Sequence, residues 1–152
     1  MSDSIHFFVP GEPQSKGSMR GFPIRRGNGR TGVVMTNSNP KTTSWENLVA
    51  SEASKVADGY PEEGVGYKVT MHFFRSKPKS MPKKKNLWLT KKDLDKMVRN
   101  VLDGMTGIVF PDDSMVVELH ASKNHTDCNY MADHHRQAGV LVEVTKVREE
   151  VA

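Results

Sequence analysis

Two pairs of aspartates bracket one amphipathic segment between Lys91 and Ser114, and this arrangement restricts the fold more than any other feature of the chain. Asp93 and Asp95 stand at its start, and Asp112 and Asp113 follow it. Between them Leu94, Met97, Val98, Val101, Leu102 and Met105 recur at the spacing of a single helix face, which must be buried. Gly104 and Gly107 supply the helix end, and a short return would bring Asp113 back toward the helix start. Asp93 is expected at or just before the N-terminus, where the chain is still extended and both leading carboxylates can turn toward one point. On the ideal helix Asp95, Arg99 and Asp103 form an i, i+4, i+8 ladder along the edge of the apolar stripe. Each pair has a local use as well: an aspartate at a helix start caps it, and Asp112-Asp113 after Pro111 suits a turn. Gathered carboxylates repel one another unless a cation is shared. Oxygen-only donors favour Mg2+, with Mn2+ as a substitute, over softer metals.

The acidic cluster is set in a basic chain. Formal net charge is +4 over 152 residues, but its distribution is more informative. Six basic residues and no acid lie from Lys16 to Lys41, including Arg20, Arg25, Arg26 and Arg30. Nine more, again without an acid, lie from Lys68 to Lys92, including Lys83, Lys84, Lys85 and Lys91. A single such run reads as a solvated face. Two runs flanking a carboxylate cluster point to a polyanionic substrate, and nucleic acid is the obvious one.

The length predicts a single domain over residues 1–152 with a core of its own. Cys128 is the only cysteine, so no intrachain disulfide is possible, in keeping with a reducing cytoplasm. The start of the chain does not read as a signal peptide, and no apolar run is of membrane-spanning length.

Ser4 to Val9 reads as a strand ending at Pro10-Gly11. Phe22 to Arg26 and Thr31 to Thr36 pair as a hairpin across Gly27-Asn28-Gly29. A helix is expected from about Lys41 to Ala57, with Trp45, Leu48, Val49, Ala53 and Val56 on its apolar face and Gly59 ending it. Gly66 to Arg75 alternates as a strand, residues 76–92 read as a mobile basic loop, and Ser114 to Ser122 and Val140 to Val147 are the last strands. Interleaved helices and strands give an α/β or α+β class: a small mixed sheet flanked by two main helices.

Some signals are weaker. Trp88 in the basic loop suits either a core or dimer contact or stacking on an unpaired base. His125, Asp127, Cys128, His134 and His135 are metal-ligating types, but their spacing fits no standard zinc pattern and reads as a polar loop.

The pattern Asp93-x-Asp95, the apolar stripe, Leu102-Asp103 and then Asp112-Asp113 before a strand resembles the RusA family of Holliday junction resolvases, especially phage-borne members. The stretches Gly11-Glu-Pro-Gln-Ser-Lys16 and Val116 to Lys123 resemble two further family signatures. The resemblance implies a small homodimer that cleaves four-way DNA junctions by paired symmetric nicks with a divalent metal, in recombination, repair or phage DNA processing. It implies a place in the cytoplasm of a bacterial or phage-infected cell. Carried over by position, the metal and catalytic aspartates are Asp93, Asp95 and Asp113, with Asp112 as neighbour. The family usually has Asn where this chain has Lys96, and often Lys where it has Arg99. Arg99 keeps the positive charge for a phosphate but cannot donate a proton near neutral pH, so it is assigned charge stabilisation, and Lys96 or Lys123 remains as the titratable amine. The DNA-binding set is Lys16, Arg20, Arg25, Arg26, Arg30, Lys83, Lys84, Lys85, Lys91, Lys92, Lys96 and Lys123. Two alternatives stay open: a nuclease preferring forks, flaps or single strands, and a branched-DNA-binding module without catalysis.

Overall fold

The computed structural model describes residues 3–16, 19–25, 27, 31–37, 40–82, 84, 87–126 and 137–150; within 19–25 and 31–37 the description is of the backbone. Six strands and two helices follow in the order β1 (Ser4–Pro10), β2 (Met19–Arg25), β3 (Thr31–Asn37), α1 (Pro40–Ser54), β4 (Gly66–Arg75), α2 (Leu94–Met105), β5 (Val116–His125) and β6 (Gly139–Val147). β2 and β3 form a separate antiparallel hairpin, with Arg25 opposite Thr31 as the glycine-rich turn requires. The other four strands make one mixed sheet in the order β1-β6-β4-β5. β6 runs antiparallel to both β1 and β4, whereas β5 lies parallel to β4. Parallel neighbours need a long crossover, and here it carries α2 and both aspartate pairs.

Alternation in the strands directs one face of the sheet to the core. Ile5, Phe7 and Val9, then Val140, Val142 and Val144, then Tyr67, Val69, Met71 and Phe73 all face one cluster with Trp45 and Val49 of α1 and Met97, Val101 and Met105 of α2. The fold is therefore a two-layer α+β arrangement, as expected. The helices touch where α2 has no side chain. A Cβ at Gly104 would lie 2.9 Å from both the Glu46 carbonyl oxygen and the Val49 side chain. This packing duty was hidden behind the reading of Gly104 as a helix end.

Beyond α2 the chain reverses at Gly107, whose φ of +85° suits glycine. Val109 and Phe110 then plunge into the core, with the Phe110 ring 5.7 Å from that of Tyr67. These anchors fix the return that presents Asp112 and Asp113.

Several boundaries differ from those expected. α1 ends at Ser54, before Ala57. β5 begins at Val116, after one 3-10 turn at Asp113–Met115, and runs on to His125, so Asn124 and His125 belong to the sheet. Burial along β5 does not follow the expected alternation: Val117 and Leu119 are 64% and 44% exposed, because β5 is an edge strand facing a groove. In the 76–92 segment, the end nearest α2 is tied down, by contacts described next. Among the described residues no helix is long and apolar enough to cross a membrane.

Candidate metal and nucleic-acid site

Asp93 occupies the N-cap position of α2 with extended backbone (φ −68°, ψ 134°), as its place before the apolar stripe predicts. Its side chain makes no capping hydrogen bond; the carboxylate lies 3.5 Å from the Lys96 ammonium. Asp95 stands in the first turn, where the helix dipole favours a negative charge. From there α2 forms one wall of an open groove of about 570 Å³, with Leu94, Asp95, Val98, Arg99 and Leu102 along it. Leu119 and Ala121 of β5 form the opposite wall, and Asp113 lines the same groove.

Asp95, Arg99 and Asp113 thus share one surface. Asp112 and Asp103 have other duties. The Asp112 carboxylate accepts from the Ser114 backbone N–H at 3.1 Å, and these hydrogen bonds from Ser114 hold its pKa below the usual range. It shapes the turn that presents its neighbour. Asp103 leaves the expected ladder because eight residues of helix rotate it by about 80° from Asp95. It faces the loop after β1 and pairs with Lys16 at 2.9 Å. By contrast, the side chains of Asp95 and Asp113 make no hydrogen bond or ion pair among the described residues.

The lysines divide in the same way. Lys16 bridges Asp103 and, at 3.3 Å, Glu46 of α1, while its backbone N–H donates to the Lys96 carbonyl. The hydrogen bond to Asp103 is the main reason its pKa is raised. Lys92 donates to the Pro13 carbonyl at 2.8 Å and to Gln14 Oε1 at 2.7 Å. Lys123 donates to the carbonyls of Thr90 and Lys92, both at 2.9 Å. Burial lowers the pKa of both Lys92 and Lys123, and the nearby Asp93 charge opposes the shift at Lys123. Lys92 and Lys123 thus tie backbone next to Asp93, whereas the Lys16 ammonium is paired with two carboxylates. A partly buried ammonium needs acceptors, and nearby carbonyls and carboxylates supply them. Lys84 and Lys91 are exposed, and Arg20 and Arg25 lie on the hairpin strand β2. Arg26, Arg30, Lys83, Lys85, Asp127, Cys128, His134 and His135 lie outside the described residues.

A cluster that the sequence does not announce closes this end of the sheet. Arg75 and His125 are register partners across β4 and β5, and Arg75 Nε donates to His125 Nδ1 at 3.2 Å. Burial, then the Arg75 charge, lowers the His125 pKa and favours the neutral ring. His125 stacks on Trp88, whose ring also receives the Arg75 guanidinium at 4.6 Å and the Lys123 ammonium at 5.1 Å. Trp88 is buried and donates through Nε1 to the Lys91 carbonyl at 2.7 Å. It is the core contact of the two roles considered for it. Asn100, buried on α2, reaches the Gln14 and Thr42 carbonyls at 3.4 and 3.5 Å. The sequence pattern ends this strand at Ser122, so the pairing of Arg75 with His125 appears only in the register of β4 with β5.

Residues 10–144 match the family profile described as Endodeoxyribonuclease RusA, so the chain belongs to the RusA endodeoxyribonuclease family. The activity of that family is cleavage within a DNA strand, in general at Holliday junctions. The uncharacterized protein YqaN of Bacillus subtilis (strain 168) is 31% identical over 137 residues, covering 82% of this chain and 90% of its own length. No solved structure matches the chain.

Family nucleases generally depend on a divalent metal. Among the described residues no three metal-ligating side chains converge, so the aspartates do not form a closed protein cage. The donor chemistry nevertheless fits a hard cation. Asp95 and Asp113 offer unpaired carboxylates to one open groove, and Mg2+ usually takes one or two carboxylates and completes its shell with water and substrate phosphate.

Proposed function

We propose that the chain is a Mg2+-dependent endodeoxyribonuclease that resolves four-way DNA junctions as a homodimer, with Mn2+ able to replace Mg2+. One observation carries the reading: Asp95 and Asp113, both without protein partners among the described residues, line one groove with Arg99. Asp95 and Asp113 would hold the ion, with Asp93 as the further carboxylate beside them. When bound, it would supply charge neutralisation at the phosphate and a lowered pKa for a water molecule. Arg99 presents a planar, permanently charged fork to the phosphate oxygens from the turn after Asp95 and stabilises charge that grows at the transition state. Lys92 and Lys123 hold the 90–93 backbone in place, so that Asp93 starts α2 at a fixed position. A two-fold dimer supplies the two equivalent sites that paired nicks require.

The test is incubation of the protein with labelled four-way, flap, Y-shaped and linear DNA, with and without Mg2+. Symmetric paired nicks in the four-way substrate, dependent on Mg2+, are expected. Asp95→Asn and Asp113→Asn should still bind junctions but no longer cut them. Undiminished cutting by either variant would overturn the site, and preferential cutting of flaps or forks would overturn the junction assignment.

A further inference from the structure

A second open cleft, also of about 570 Å³, adjoins the α2 N-terminus through Lys92. Lys41, Arg75, Lys91 and Lys92 line it, and Glu12 is the only acid among its described lining residues. Glu12 already accepts from the Ser76 backbone N–H at 3.3 Å. Arg75 uses Nε on His125, and its contact with the Lys91 carbonyl is long, at 3.4 Å. A guanidinium carries five N–H donors, so most of its capacity is left over. Lys41 and Lys91 are exposed at the rim, and α1 begins at Pro40 with no acid in its first turn. Burial lowers the pKa of Arg75, and a cation partly withdrawn from water gains more from an anion than an exposed one does. The cleft offers no face for a base, because Trp88 is buried with Arg75 and Lys123 over its ring. Its chemistry suits a phosphate group and not a nucleobase.

We propose that this cleft binds one backbone phosphate of the DNA strand being cut, through Lys41 and Lys91 at the rim and Arg75 in the wall. Lys91 lies four residues from Asp95, at most about 14 Å along the chain. A strand advancing about 3.4 Å per nucleotide places the bound phosphate about four nucleotides or fewer from the cut. The proposal rests on the nuclease reading above and adds a fixed point that sets where the strand enters the aspartate groove.

The test uses the full chain and the double variant Lys41→Gln, Lys91→Gln, both at exposed positions, with folding checked by circular dichroism. Junction binding is measured without Mg2+ over a KCl series. The slope of log affinity against log salt should fall by about 0.9 for each phosphate that the variant no longer neutralises. A neutral methylphosphonate is then placed at successive positions in the strand. At one position near the cut it should weaken the wild type and leave the double variant unaffected. An unchanged salt slope, or equal weakening at every methylphosphonate position in both proteins, overturns the proposal. Saturable micromolar binding of inorganic phosphate that the variant loses, with DNA binding unaltered, would make free phosphate the occupant and also overturn it. Nicking by the wild type is assayed in parallel. Its absence would remove the nuclease reading, while a variant-specific slope would still assign the cleft to DNA.

Discussion

The ammonium of Lys123, near the end of β5, donates to the carbonyl of Lys92 at 2.9 Å and so joins an edge strand to the residue preceding Asp93. The same nitrogen holds the Thr90 carbonyl. Replacing Lys123 with Met leaves both acceptors without this donor, a loss of about 1–3 kcal/mol. For a chain of this size that lowers Tm by roughly 2–4 °C per kcal/mol, measurable by thermal denaturation. Because the tie acts on the Asp93 segment, cutting under single-turnover conditions should fall while junction binding holds. Lys123→Arg should recover part of the rate. Equal rates for Lys123→Met and wild type would show that the tie does not position Asp93.

Arg99 lines the groove with Asp95 and Asp113. Arg99→Ala should slow cleavage by about 10²–10³-fold, the usual cost of removing one donor aimed at developing charge. Arg99→Lys keeps the charge but not the planar fork and should recover only part of the rate. Single-turnover nicking of a four-way junction distinguishes them, and a fully active alanine variant would exclude the assigned role.

Gly104 allows α1 and α2 to touch. Gly104→Val should destabilise the protein by about 1–3 kcal/mol, because Val49 and the Glu46 carbonyl block the added carbons. Alanine's better helix propensity, about 1 kcal/mol over glycine, would otherwise make Gly104→Ala stabilising. Urea midpoints for the two variants test whether the close approach prevails: both should lie below wild type.

The Glu62 carboxyl is held at about 2, first by Arg148 and then by Lys146, against an ordinary value of 4.5. A carboxyl whose folded pKa is depressed adds stability above its unfolded value and loses it as pH falls through the folded one. The contribution is therefore complete above about 4.5 and disappears toward 2. Unfolding measured across that window should show a shallower acid loss for Glu62→Gln than for wild type. Parallel curves would show that the pairing contributes nothing. Lys146, 7% exposed and 4.2 Å from the Tyr60 ring, also donates to the Gly59 carbonyl at 2.9 Å, so its charge stays compensated in the variant.

Periodicity carried the elements whose faces differ most in polarity. The stripe from Leu94 to Met105 marks α2, and alternation marks β1 and β4, because burial of one face is decided locally. Asp93 was placed at an extended N-cap for the same reason. Polar partners were not legible in this way. Lys16 meets Asp103, and Lys123 meets Thr90 and Lys92, across 87, 33 and 31 residues of chain. Nothing near Lys16 or Lys123 in the sequence separates a lysine that ties backbone from one that faces DNA. Asn100 looks like an ordinary exposed residue between Arg99 and Val101, yet the loop after β1 covers it. The groove itself depends on Leu94, Leu102 and Leu119 remaining only partly covered, which hydrophobic patterning cannot tell from full burial.

The sheet order β1-β6-β4-β5 has a consequence for synthesis. Among the described strands, the one made last in this sheet is the one that inserts between β1 and β4, so the centre of the sheet is filled last. Until β6 arrives, β1 has no neighbour in the sheet and β4 keeps an open edge. With translation at about 5–20 residues per second, the aspartate crossover is made a second or more before the strand that secures the sheet beneath it. A nascent chain at that stage carries Asp93, Asp95, Asp112 and Asp113 but lacks the strand that completes the sheet beneath them.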